Sequence, residues 1–273
     1  MFNRFAAFAT AAVLALPVQA QESETDILFD LLMLPEIIEI MRQEGVSYGD
    51  TIGADLFAGE TSAEWDMTVA QIYDPEVMVG MVRRDFELSL AEADLDPMLA
   101  FFGSPQGQQI VSLEVSARRA FLDDAVEEAG EDAAAIALAD NDPRMALVGE
   151  FIEINNLVEA NVAASLNTNL AFYDGLVAGR AFGGALSEEQ ILSDVWGQEA
   201  DIRESTTEWL NSFLFMAYSP LDDADLEAYI AFSQTDAGGQ INRAMFDSFD
   251  ELFMGISRAL GRAAAAEMTT QDL

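Results

Sequence analysis

Histidine and cysteine are both missing from this 273-residue chain, and so is lysine. Each absence closes a class of chemistry. Without His or Cys there is no Ser-His-Asp or Cys-His nucleophile, no thiol redox centre, no His-ligated zinc and no axial His for a haem. Without Lys there is no Schiff-base amine and no phosphate-gripping lysine of a P-loop. No disulfide is available in an oxidising compartment, so stability must come from packing. What remains is oxygen chemistry: a carboxylate-dependent hydrolase, or a hard cation such as calcium held weakly by carboxylates and carbonyls. Alternating β-branched runs are lacking as well, as is the Asn-Gly pair of tight hairpins. Past residue 20, acidic residues interrupt every apolar run. The most apolar, Ser212 to Tyr218, suits a buried helix segment and not a membrane span.

What is present begins with an N-terminal segment unlike the rest. Met1 to Arg4 carry one positive charge, Phe5 to Leu16 are apolar but for Thr10, and Pro17-Val18-Gln19-Ala20 ends on a small residue. This is the pattern of a secretory signal, residues 1–20, cleaved after Ala20. Gln21 and the absence of Cys exclude a lipid-anchored lipoprotein. The expectation is a periplasmic protein with no membrane span in its mature part. Acidic residues number 49 against 12 basic ones, a net charge of −37. Such a field repels phosphate backbones and anionic headgroups, so nucleic acid is not an expected partner; it favours solubility and attracts cations. The basic pairs Arg83-Arg84 and Arg118-Arg119 are expected to meet nearby carboxylates.

The punctuation is helical throughout. Asp74-Pro75, Ser104-Pro105 and Asp142-Pro143 place a capping residue before a proline, the arrangement of Ncap and N1. Thr61 with Glu64 and Ser187 with Gln190 fit capping boxes. From Pro143 to about Gly179 one long helix is expected, its apolar stripe running from Leu147 through Phe151, Ile154, Val158 and Val162 to Val177. Asn155, Asn156, Asn161, Asn167 and Asn169 ride on it. They are expected to bond backbone or solvent, with a polar groove as the functional alternative. Trp65, Trp196 and Trp209 read as core or interface anchors. Asp222-Asp223-Ala224-Asp225 lacks the Gly and terminal Glu of an EF-hand loop and reads as a helix start.

The strongest internal signal is a repeat. Glu92–Ile110 aligns without a gap on Asp223–Ile241, with identities at Ala93, Asp94, Leu95, Ala100, Phe101, Gly107, Gln109 and Ile110. Each copy reads as a helix, a turn and a second helix. Ser104 and Thr235 cap the second helix, Pro105 takes N1, and Gly107 and Gly238 let backbones approach under Phe101 and Phe232. The turn motif is therefore Phe101, Ser104, Pro105, Gly107 and Gln109, echoed by Phe232, Thr235, Gly238 and Gln240, and its expected role is structural.

The turn from Phe101 to Gln108, followed by a long amphipathic helix, resembles an uncharacterised periplasmic helical family, domain of unknown function 2059. The second copy, Phe232 to Gln240, is degenerate, with Asp236 where the first has Pro105. The resemblance implies a small exported helical bundle and carries no catalytic residues. Together these readings give an all-α helical bundle of two pseudo-repeated modules, residues 21–135 and 136–273, divided near Glu131 to Asn141. The expected function is non-catalytic: a periplasmic binding or interaction module for an envelope protein or peptide. No catalytic, cofactor-binding or metal-ligating residue is designated, and no cofactor is expected.

Overall fold

The computed structural model describes residues 23–57, 61–181 and 187–271; the expected signal segment lies outside them. Thirteen α-helices make up the regular structure, and no strand occurs among the described residues. The all-α expectation holds. No helix among these residues is long and apolar enough to cross a membrane.

The first helices are α1 (Glu24–Leu31), α2 (Leu34–Leu56), α3 (Ala63–Ile72) and α4 (Pro75–Ser89). They are followed by the hairpin of α5 (Asp96–Phe102) and α6 (Pro105–Ala120), then α7 (Asp124–Asp140) and α8 (Pro143–Ile154). The chain continues through α9 (Leu157–Ala178), α10 (Glu188–Gly197) and α11 (Glu199–Tyr218), and ends in a second hairpin, α12 (Asp223–Ser233) with the 36-residue α13 (Asp236–Gln271).

Local capping behaves as the side chains dictate. Asp74, Ser104, Asp142 and Ser187 each accept a hydrogen bond from a backbone N–H of the first turn, and Ser187 with Gln190 forms the full capping box. At α3 the cap is Ser62, not Thr61: the Ser62 hydroxyl accepts from the Trp65 N–H at 3.0 Å. The two hairpin turns make matching bonds. Gly107 N–H donates to Ser104 Oγ at 3.0 Å, and Gly238 N–H to Thr235 Oγ1 at 3.0 Å. Each hydroxyl in turn donates to the carbonyl of Phe101 or Phe232 at 2.7 Å. A Cβ on either glycine would lie 2.2 Å from that same carbonyl oxygen, which is why neither position carries a side chain. Ser104→Ala, which removes one cap, is expected to lower stability by about 1 kcal/mol. A urea midpoint reads it, and an unmoved midpoint contradicts the capping role.

One expectation needs correcting. The helix from Pro143 to Gly179 is broken at Asn155 and Asn156, where Asn156 takes a left-handed conformation (φ 52°) that Asn tolerates better than most residues. The apolar period passes straight through the break, so it was invisible in the pattern. Helix α7 runs through the expected division near Glu131 to Asn141, continuous to Asp140 and ending at Asn141, also left-handed.

Both main cores draw on each side of that boundary. The larger joins α1–α5 and one face of α6 to Leu176 of α9 and to Ile241, Leu252, Ile256 and Leu260 of α13. The second packs Ile110 and Ala117 of α6 and Ala134 and Ala137 of α7 against Val148, Leu210, Leu214 and Ile230. Helix α6 thus carries two apolar faces, Val111 and Val115 toward one core and Ile110 and Ala117 toward the other. Its position between cores is what shapes the site.

α9 and α13 run parallel, since their contacts advance together: Asn155 with Asn242, Asn167 with Asp250, Gly175 with Gly261, Gly179 with Ala265. At one end the backbones nearly touch. A Cβ on Gly175 would sit 2.3 Å from the Arg258 carbonyl oxygen, and one on Gly261 2.2 Å from that of Phe172.

Candidate functional site

Between the two cores lies a cavity of about 590 Å³. Its walls come from far-separated parts of the chain: Ile37, Met41 and Tyr48 of α2, Val111, Glu114 and Arg118 of α6, and Leu157, Asn161, Ala164 and Ser165 of α9. Trp209, Leu210, Phe213, Leu214 and Tyr218 of α11 form a third side, with Tyr229 and Phe232 of α12. Helix α13 completes it with Ile241, Asn242, Met245, Phe246, Phe249, Asp250 and Phe253. The α13 lining extends from Gly238 to Phe253, about 22 Å along the axis at ~1.5 Å per residue, so the cavity is elongated. Most of these side chains are aromatic or aliphatic, and the polar ones are few. That composition, at this volume, is typical of small-molecule sites.

Among the polar groups Glu114 stands apart. It follows buried Ile110 by one helical turn, so the periodicity of α6 turns its carboxyl inward. Tyr218 Oη–H donates to Glu114 Oε1 at 2.6 Å, and the Tyr229 hydroxyl also bonds this carboxyl. Withdrawal from water dominates over both phenols and pushes the Glu114 pKa up to about 7. Burial, followed by the neighbouring carboxyl, drives Tyr218 and Tyr229 well above the usual phenol value, so both remain donors. The Tyr218 backbone is fixed in turn: Arg144 donates to the carbonyls of Tyr218 at 2.9 Å and Leu221 at 2.7 Å, and pairs with Asp223 at 2.7 Å. Asp250 is the second acid in the lining. Burial and the nearby Asp247 raise its pKa, against a hydrogen bond from Asn167.

Arg118 is the cation in the lining, and it is engaged. Its Nε and Nη2 donate to the Glu44 carboxylate at 2.8 and 2.6 Å, and the guanidinium lies over the Trp209 ring. Arg83 pairs with Asp26 and Arg84 with Asp85, so these basic residues meet carboxylates as their sequence context suggested.

The predicted turn residues are divided by the structure. Phe101 and Phe232 stack at 4.2 Å, bringing the two hairpins face to face at one end of the cavity, and Phe232 and Gly238 line it. Ser104, Thr235, Pro105 and Gly107 hold helix starts, as described. Gln109 and Gln240 are exposed; the glutamine that braces the first turn is Gln108, donating to the carbonyls of Leu31 at 2.9 Å and Phe102 at 2.7 Å. Of the asparagines, Asn155, Asn161 and Asn169 reach the cavity, each with its amide nitrogen bonded to the protein. Trp65 is buried, Trp209 lines the cavity and Trp196 is exposed beside a smaller surface pocket. The acidic start of α12 is tied to α8 through Arg144–Asp223 and to α6 through Gln106, which donates to Asp225 at 2.7 Å. Among the described residues no group of three or more acidic side chains is placed to hold a metal ion.

Glu114, Tyr218, Tyr229 and Asn242 were not singled out in the sequence. For Glu114 a signal existed: an acid in register with Ile110 and Ala117 on a buried stripe. For the others there was none, because their convergence on the cavity depends on the tertiary fold.

The profile of a family described as an uncharacterised protein conserved in bacteria (DUF2059) matches residues 76–135, a span that takes in most of α4, all of α5 and α6, and Glu114. No curated protein and no solved structure matches the chain.

Proposed function

We propose that this is a non-catalytic, exported binding protein of the bacterial periplasm whose interior cavity holds an elongated, mainly apolar small molecule. The observation that carries the reading is the cavity itself, a long chamber between two packed cores, walled by Phe, Leu, Ile and Met with a few convergent polar groups at Glu114. Apolar surface left open to solvent in a cleft of this size argues for an occupant. Export agrees with the signal pattern of residues 1–20. The matching turn bonds and the stack of Phe101 on Phe232 favour descent of the two hairpins from one duplicated module.

An environment-sensitive apolar dye tests the reading. The full mature chain is expected to bind it at micromolar concentrations with a large rise in emission. Ala164→Trp, which fills the lumen from α9, should weaken binding at least tenfold while leaving the helical circular dichroism intact. Equal dye binding by both proteins would place the dye elsewhere and remove the support for a ligand chamber.

A further inference from the structure

The amide and carboxyl groups of the cavity lining are one-sided in their hydrogen-bonding character, and the hydroxyls of Tyr48, Ser165 and Thr168 share the wall with them. Asn155 directs its amide nitrogen to the Phe151 carbonyl at 3.0 Å, Asn161 to that of Leu157 at 2.8 Å, and Asn242 to that of Asn155 at 3.0 Å. This arrangement leaves the amide oxygens, which are acceptors, as the groups these residues offer a ligand. Glu114 and Asp250 add carboxyl oxygens. The cationic group in the lining, Arg118, is satisfied by a bidentate Glu44 and covered by Trp209, so it offers an incoming anion little. The Trp209 ring is taken up by the Arg118 guanidinium and by its stack on Phe213 at 4.8 Å.

We infer that the cavity selects an apolar molecule bearing one cationic nitrogen, an alkyl- or arylammonium, with the nitrogen seated among Glu114 and the asparagine oxygens. This rests on the cavity reading above and specifies its ligand. A carboxylate head would meet two carboxyl groups with no available cation, and burying it unpaired is unfavourable. An ammonium gains a charge-assisted bond to Glu114. At long range the net charge of −37 draws cations and repels anions before contact.

Three probes of one chain length separate the terms: dodecylammonium, dodecanol and dodecanoate, each titrated below its micellar concentration at about pH 8, where Glu114 is mainly ionised. Displacement of the dye from the full chain gives the three affinities. The amine is expected to bind at least tenfold tighter than the alcohol, and the carboxylate weakest. In Glu114→Gln the amine-over-alcohol preference should shrink at least tenfold. That variant changes the net charge by one in 37, so a preference arising from the overall field would survive it. Dodecanoate binding as tightly as the amine overturns the inference on the unaltered protein, whatever the variant does. So does an amine preference that Glu114→Gln leaves intact. Binding of dodecanol and dodecanoate with equal strength to the amine keeps the chamber and removes the selectivity, whereas binding of none of the three removes the chamber as well.

Discussion

Gly261→Leu is expected to destabilise the protein by more than about 4 kcal/mol, a large share of the roughly 5–15 kcal/mol that holds a typical protein folded. A side chain there cannot be absorbed by a rotamer change, because what its Cβ would meet is backbone: the Phe172 carbonyl oxygen at 2.2 Å and Gly175 Cα at 3.0 Å. The helices α9 and α13 would have to separate, and with them Leu176, Leu260, Ala264 and Ala265, all buried. The contrast is Gly149→Ala on α8, where an added Cβ meets nothing within 4 Å. Here only helix propensity acts, and stability is expected to rise by about 0.5–1 kcal/mol. Urea unfolding of the two variants beside the parent decides the matter; a Gly261→Leu midpoint within error of the parent would refute the close crossing.

Glu114→Gln is expected to change the pH dependence of stability by about 3 kcal/mol. The folded protein holds the Glu114 proton more tightly than the unfolded chain, with a pKa raised from 4.5 to about 7. The folded state therefore binds more protons between those values, and stability falls as pH rises through that window. At about 1.4 kcal/mol per pH unit, the ionised carboxylate costs about 3 kcal/mol above pH ~7 and nothing below pH ~4.5. Glutamine keeps the shape and never ionises. Stability of the variant relative to the parent should therefore improve from pH ~4.5 to pH ~8 by that amount. The groups facing Glu114 are Tyr218 from α11 and Tyr229 from α12, which keep their protons across the range, with Arg118 one turn along α6 and Asp250 on α13 in the same cavity. Asp250 and Glu127, also raised by burial, titrate in both proteins and cancel from the difference. Parallel stability–pH curves for parent and variant would sink the prediction.

Local chemistry was legible in the sequence wherever a residue acts on its immediate neighbours. Ser104, Asp142 and Ser187 cap helices because their oxygens reach N–H groups two or three residues on, and spacing alone reveals that. Gly107 and Gly238 were legible for the same reason. The break at Asn156 was not, because an apolar stripe of helical period is compatible with a one-residue interruption. The cavity was not legible either. Its walls run from Leu32 to Phe253, and nothing local announces that Tyr218 will meet Glu114 across more than a hundred residues. The repeated turn was visible as a pattern, yet its tertiary outcome, the stack of Phe101 on Phe232, required both halves to be folded against one another.

The placement of α13 bears on how the chain reaches this state. Leu28, Phe29, Phe86 and the rest of the larger core are shielded partly by Ile241, Leu252, Ile256 and Leu260, which emerge from the ribosome more than a hundred residues later. Long-range closure of this kind is slow, since loop entropy must be overcome before the contacts form. A nascent chain therefore stays without its main core through most of synthesis. Such delay agrees with the proposed export, since a chain still lacking its main core can be threaded unfolded through a translocation pore.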